Sequence, residues 1–70
     1  MRVTKDTIIG DLLRADAGFA NVLMYCGMHC VYCPSALGET LEEAALVHGM
    51  DVDDILDALH DYQDAKQYEQ

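Results

Sequence analysis

The sequence predicts an all-α fold, a compact bundle of about five short helices forming a single domain over residues 1–70. Three observations carry this. Apolar residues recur at helical spacing, and no stretch alternates apolar and polar as a half-buried strand would. Residues that start helices and residues that stop them follow one another at short intervals. Hydrophobic residues, chiefly Ala, Leu, Val, Ile and Met, make up 51% of the chain, with one proline, which is a globular composition dominated by helix formers. A chain this short buries only about 60% of the surface that it exposes when unfolded. Its core is one thin layer, with room for a reactive pair or a binding surface but not for a large enclosed substrate cavity.

The elements follow in order. Thr4 or Asp6 is placed to cap a first helix whose stripe is Ile8, Ile9, Leu12 and Leu13, ending near Ala15. Asp16 is a good cap for a second helix, with Phe19, Val22, Leu23 and Cys26 on one face and Gly27 as the left-handed residue that stops it. Residues 28–38 are irregular. Pro34 suits the first position of a helix, so Cys33 is the expected cap of a single turn, Pro34 to Leu37, closed by Gly38. Thr40 and Glu43 make a capping-box pattern for a fourth helix, Leu41 to His48, with Leu41, Ala44, Ala45 and His48 as its stripe and Gly49 as its end. Asp51 caps the last helix, which carries Val52, Ile55, Leu56, Leu59 and Tyr62; residues 66–70 are expected to fray.

Charge narrows the partners. Thirteen Asp and Glu face four Lys and Arg, a net charge of −9. Binding a polyanion needs clustered cations, whereas Arg2, Lys5, Arg14 and Lys66 are scattered, so neither nucleic acid nor an anionic membrane is the expected partner. The acidity reads as solvated helix faces. The opening MRVTKDTIIGDLL has charges where a signal peptide needs an apolar stretch, and no apolar run is long enough to span a bilayer. The reading is cytoplasmic, a compartment that keeps ordinary thiols reduced.

Against that background three cysteines within eight residues, Cys26, Cys30 and Cys33, are not a disulfide framework. Two cysteines with two residues between them close a disulfide when the backbone turns between them. Next to a helix start, the unpaired N–H groups and positive dipole end favour a thiolate, and the thiolate is the species that exchanges with other disulfides. By analogy with other CxxC sites, Cys30 attacks and Cys33 resolves, and a protonated His29 would assist Cys30; as the cap of the Pro34 turn, Cys33 is the alternative low-pKa thiol. No strand precedes the pair, which sets a thioredoxin fold aside. With Cys26 the spacing becomes C-x-x-x-C-x-x-C, as in radical-SAM enzymes, whose large barrel 70 residues cannot build. A smaller metal site stays open: Cys26, Cys30 and Cys33 holding an iron–sulfur cluster, or zinc with His29 or His48 as fourth ligand. A third reading is a helical interaction domain without chemistry. Among the remaining residues, His48 reads as a helix-end residue, His60 as a solvated one, and Met24, Met28 and Met50 as core filler.

The run from Gly27 to Leu59, GMHCVYCPSALGETLEEAALVHGMDVDDILDAL, closely resembles the hybrid-cluster-protein-associated redox disulfide domain, a small helical domain of unknown function. The segment VTKDTIIGDLL resembles its opening. The most specific part is Gly27, Met28, His29, Cys30, Cys33 and Pro34, followed by Glu39 to Ala44 and by His48 and Gly49. The resemblance implies a compact α fold, a redox-active pair at Cys30 and Cys33, and a link to hybrid cluster proteins, iron–sulfur enzymes of anaerobic nitrogen-oxide metabolism. A more distant likeness is to the N-terminal domain of di-iron proteins that repair iron–sulfur clusters. Cys26 stands outside the family pattern. The expected function is therefore a thiol–disulfide redox module, a disulfide oxidoreductase exchanging with a protein partner. Metal binding and plain interaction are the alternatives.

Overall fold

In the computed structural model, which describes residues 2–28 and 37–68 (side chains of the last helix through Lys66), four helices follow one another: α1 (Ile9–Ala15), α2 (Phe19–Tyr25), α3 (Leu41–Val47) and α4 (Val52–Tyr68). The all-α expectation is met, and no strand occurs among the described residues. The expected turn from Pro34 lies outside them apart from Leu37, so four of the five expected helices fall among the described residues.

The core is a single layer, as the chain length requires. Ile9 and Leu12 of α1, Phe19, Ala20 and Leu23 of α2, Leu41, Ala44 and Ala45 of α3, and Ile55 and Leu59 of α4 are buried together with Val3 and Met28. Leu13, Val22, Met24, Met50, Val52, Leu56 and Tyr62 pack against its edge. The predicted stripes are these faces, with one exception. His48 is exposed at the end of α3 because the chain has already turned away at Gly49.

Most of the caps are local. Thr40 Oγ1 accepts from the Glu43 N–H at 3.1 Å, and the Glu43 carboxylate accepts from the Thr40 N–H at 3.0 Å, which completes the capping box. Asp51 accepts from the Asp53 N–H at 2.9 Å and starts α4. Both α2 and α3 end in the same motif. After α2, Gly27 (φ 110°) and Met28 return their N–H groups to Met24 and Leu23; after α3, Gly49 (φ 66°) and Met50 return theirs to Leu46 and Ala45. These are Schellman ends, and a positive φ is why glycine holds the first place in each.

Two starts differ from expectation. Thr4 and Asp6 do not cap α1. They form a turn in which the Thr4 N–H donates to Thr7 Oγ1 and the Asp6 N–H to Thr4 Oγ1, and the helix begins only at Ile9, whose N–H donates to the Glu39 carbonyl at 2.9 Å. The Leu41 N–H returns the bond to Thr7 at 3.0 Å, and the Glu42 N–H reaches Lys5. An isolated antiparallel bridge, Ile8 to Thr40, thus sits where α1 and α3 both begin. Asp16 accepts from the Gly18 N–H at 2.9 Å as a cap should, but the first turn is 3₁₀, with Phe19, Ala20 and Asn21 bonding three residues back.

The second half of α4 is tied to the rest of the molecule by polar contacts. Tyr62 Oη donates to Asp16 at 3.1 Å, Lys66 Nζ donates to the same oxygen at 2.7 Å, and the Phe19 and Tyr62 rings lie 5.1 Å apart. The Lys66 ammonium, then the Gly18 N–H, hold the Asp16 carboxyl below its ordinary range, and Asp16 in turn raises Lys66. His60 is exposed but not merely solvated, since its Nε2 lies 2.9 Å from the Val3 carbonyl and pins the N-terminal segment to α4.

Candidate functional site

The thiol segment hangs between two fixed ends. Cys30, Cys33, His29 and Tyr32 fall among residues 29–36, outside the described residues. On the upstream side, the Schellman end of α2 turns the chain at Gly27 and buries Met28 in the core. On the downstream side, Leu37 packs against the core, and Glu39 is bonded to the start of α1. Gly10 marks how closely α1 approaches there: a Cβ on it would stand 2.9 Å from the Leu37 carbonyl oxygen, a distance that side chains do not tolerate. A shallow depression lined by Gly10, Leu13, Arg14, Leu37 and Gly38 adjoins this end.

Cys26 is the cysteine that the structure describes. It is the C-terminal cap of α2, half-buried, with its N–H bonded to the Val22 carbonyl. Burial pushes its thiol up from the ordinary value, and the Asp54 carboxylate pushes in the same direction. The negative end of the α2 dipole points the same way. At neutral pH Cys26 is therefore a protonated, weakly nucleophilic thiol that fills space at a helix end. This matches its place beside Phe19 and Val22 in the predicted stripe.

No group of three or more His, Cys, Asp and Glu is arranged to hold a metal ion among the described residues. His48 and His60 lie on separate elements with separate tasks: His48 ends α3, and His60 meets Val3. No helix among the described residues is long and apolar enough to cross a membrane. Sequence reasoning missed one surface feature. Leu46 and Val47 on α3 are exposed although apolar; the signal was their position off the buried stripe of an otherwise apolar helix.

The model of a family described as a domain of unknown function, DUF1858, matches residues 3–56 of this chain. That span includes α1, α2, the thiol segment, α3 and the start of α4. An NMR solution structure of a protein from Clostridium thermocellum, a structural genomics target, is 43% identical over the full length of both chains and superposes with a TM-score of 0.86. No curated protein matches the chain.

Proposed function

The chain belongs to the DUF1858 family of domains of unknown function, and from that premise we propose that it is a thiol–disulfide redox module acting on a protein partner in the cytoplasm. The observation that carries this reading is Cys30 and Cys33, two residues apart and directly before Pro34. The frame supports it in two ways. Both ends of the segment are anchored by buried residues and backbone hydrogen bonds, so chemistry within it need not disturb the core. Cys26, the third thiol, sits where its proton is held, which leaves the exchange to the other two.

In the reducing direction, the Cys30 thiolate attacks one sulfur of a partner disulfide. That S–S bond breaks, a mixed disulfide forms and one partner thiolate leaves. The Cys33 thiolate then attacks Cys30 Sγ, closing the Cys30–Cys33 disulfide and releasing the second partner thiolate. Two electrons pass to the partner, and the two protons lost from the cysteines balance the two that its thiolates take up. His29, protonated, favours the Cys30 thiolate. The resemblance to the hybrid-cluster-protein-associated domain supplies the partner class, an iron–sulfur enzyme such as hybrid cluster protein.

The test is native mass spectrometry of anaerobically purified protein equilibrated in glutathione buffers, with the disulfide mapped by alkylation. A reversible loss of two hydrogens at Cys30 and Cys33 is expected, without bound metal, and Cys30→Ser or Cys33→Ser abolishes it while helicity is unchanged. A retained zinc or iron–sulfur mass that disappears with Cys26→Ala would overturn the proposal in favour of a three-thiolate metal module. Unchanged exchange rates in both serine variants would sink it as well, leaving a helical interaction domain.

A further inference from the structure

Helix α3 is apolar on two sides. Leu41, Ala44 and Ala45 enter the core, while Leu46 and Val47 stand 76% and 74% exposed. A helix that buries one stripe ordinarily turns polar residues outward, yet α3 has only Glu42 and Glu43 among its seven residues. Single exposed apolar residues are commonplace, whereas contiguous ones mark interaction surfaces. Here Leu46, next to Val47 in the helix, helps line a depression between α3 and α4 together with Glu42, Ala45, Met50, Asp51 and Val52. Its floor is apolar, because Ala45 is buried and Met50 and Val52 pack against the core, and its rim carries two carboxylates. Its volume of about 250 Å³ falls below the roughly 300–1,000 Å³ usual for small-molecule sites. It suits an inserted side chain better than a cofactor.

Charge selects the occupant. Lys5 meets Glu42 only loosely, at 3.8 Å, and Asp51 accepts from the Asp53 N–H and has no ion-pair partner among the described residues. Glu43, Asp53 and Asp54 are exposed nearby in the sequence. A second copy would set one acidic rim against another on two chains of net charge −9, which repels. We propose that this face docks a basic amphipathic helix of a partner protein. One aliphatic or aromatic side chain of that helix enters the depression beside Leu46, and its Lys or Arg side chains meet Glu42 and Asp51. The proposal does not depend on the thiol chemistry.

The test is an amide NMR titration of the whole chain with a short synthetic Leu/Lys amphipathic helix. A scrambled peptide of the same composition and a Leu/Glu counterpart serve as controls. Saturable shifts are expected over residues 45–52, with binding at least about tenfold weaker for both controls and for the Leu46→Gln/Val47→Gln double variant. Both substituted positions are exposed, so the variant keeps its circular dichroism and melting temperature. Equal binding by the double variant or the scrambled peptide would overturn the proposal, as would shifts centred elsewhere, such as around the exposed Tyr25. Sedimentation that shows a dimer abolished by the double variant would replace the partner helix with a second copy.

Discussion

Cys26 shows how the fold sets the chemistry of one of three thiols that lie within eight residues in the sequence. Burial and Asp54 both favour its protonated form, so its folded pKa lies above its unfolded one. The folded chain therefore holds this proton more tightly, and the stability tied to it is fully present below the unfolded pKa and is lost as pH rises through the folded one. In a Cys30→Ser/Cys33→Ser background at pH 8, native Cys26 should react with iodoacetamide more slowly than it does in the urea-unfolded chain. Asp54→Asn should recover part of the difference. Mass spectrometry of the time course checks this, and equal rates in native and unfolded chains would remove the physical ground for excluding Cys26 from exchange. The place of Cys26 on a helix face was legible from its spacing to Phe19 and Val22. The approach of Asp54 was not, since it comes from α4, a helix that begins only after α3. His60 hid its role for the same reason. Its acidic neighbours look solvated, while its bond is to Val3, 57 positions away.

Among the elements, the starts and stops written in local chemistry could be read: Thr40 with Glu43, Asp51, Gly27 and Gly49. The start of α1 could not, because its first N–H is satisfied by the Glu39 carbonyl, a tertiary partner that no capping pattern near Thr4 or Asp6 announces. The start of α2 holds a second tertiary constraint. A Cβ on Gly18 would overlap the Tyr62 hydroxyl and stand 2.8 Å from its ring carbon, although φ there is an ordinary −63°. The glycine serves close approach rather than an unusual backbone. Gly18→Ala should displace Tyr62 from Asp16 and Phe19 and cost about 1–3 kcal/mol, in the range of overpacked cores. In a Tyr62→Ala background the same substitution should cost much less. A double-mutant cycle by urea denaturation measures the coupling, and additive effects would mean that α2 and α4 do not meet there as described.

For the whole molecule, the second half of α4 is the decisive piece. The family match ends at Leu56, yet Leu59 is fully buried, and His60, Tyr62 and Lys66 reach Val3 and Asp16. Losing a buried leucine costs about 2–5 kcal/mol. A domain of this length has roughly 4–10 kcal/mol of stability in all. A chain ending at Asp57 should therefore lack a cooperative thermal transition and amide NMR dispersion. A native-like spectrum from it would show that the matched span folds without the rest of the helix. The single-layer core was readable from length and periodicity. The candidate thiol pair was readable only as a motif, since spacing does not encode three-dimensional neighbours.

The Ile8–Thr40 bridge also bears on how fast the chain can fold and how freely it can vary. Bundles of short helices usually fold quickly on local contacts, but here two helices share one starting point that joins distant parts of the chain. Closing that loop, rather than growing either helix, is the slow search. The cost of the search rises only with the logarithm of loop length, about 0.6 kcal/mol for each doubling. In the sequence, residues 29–36 lie between the two bridged positions. By that scaling, a change of a few residues in this loop alters the cost of closing it by only a few tenths of a kcal/mol.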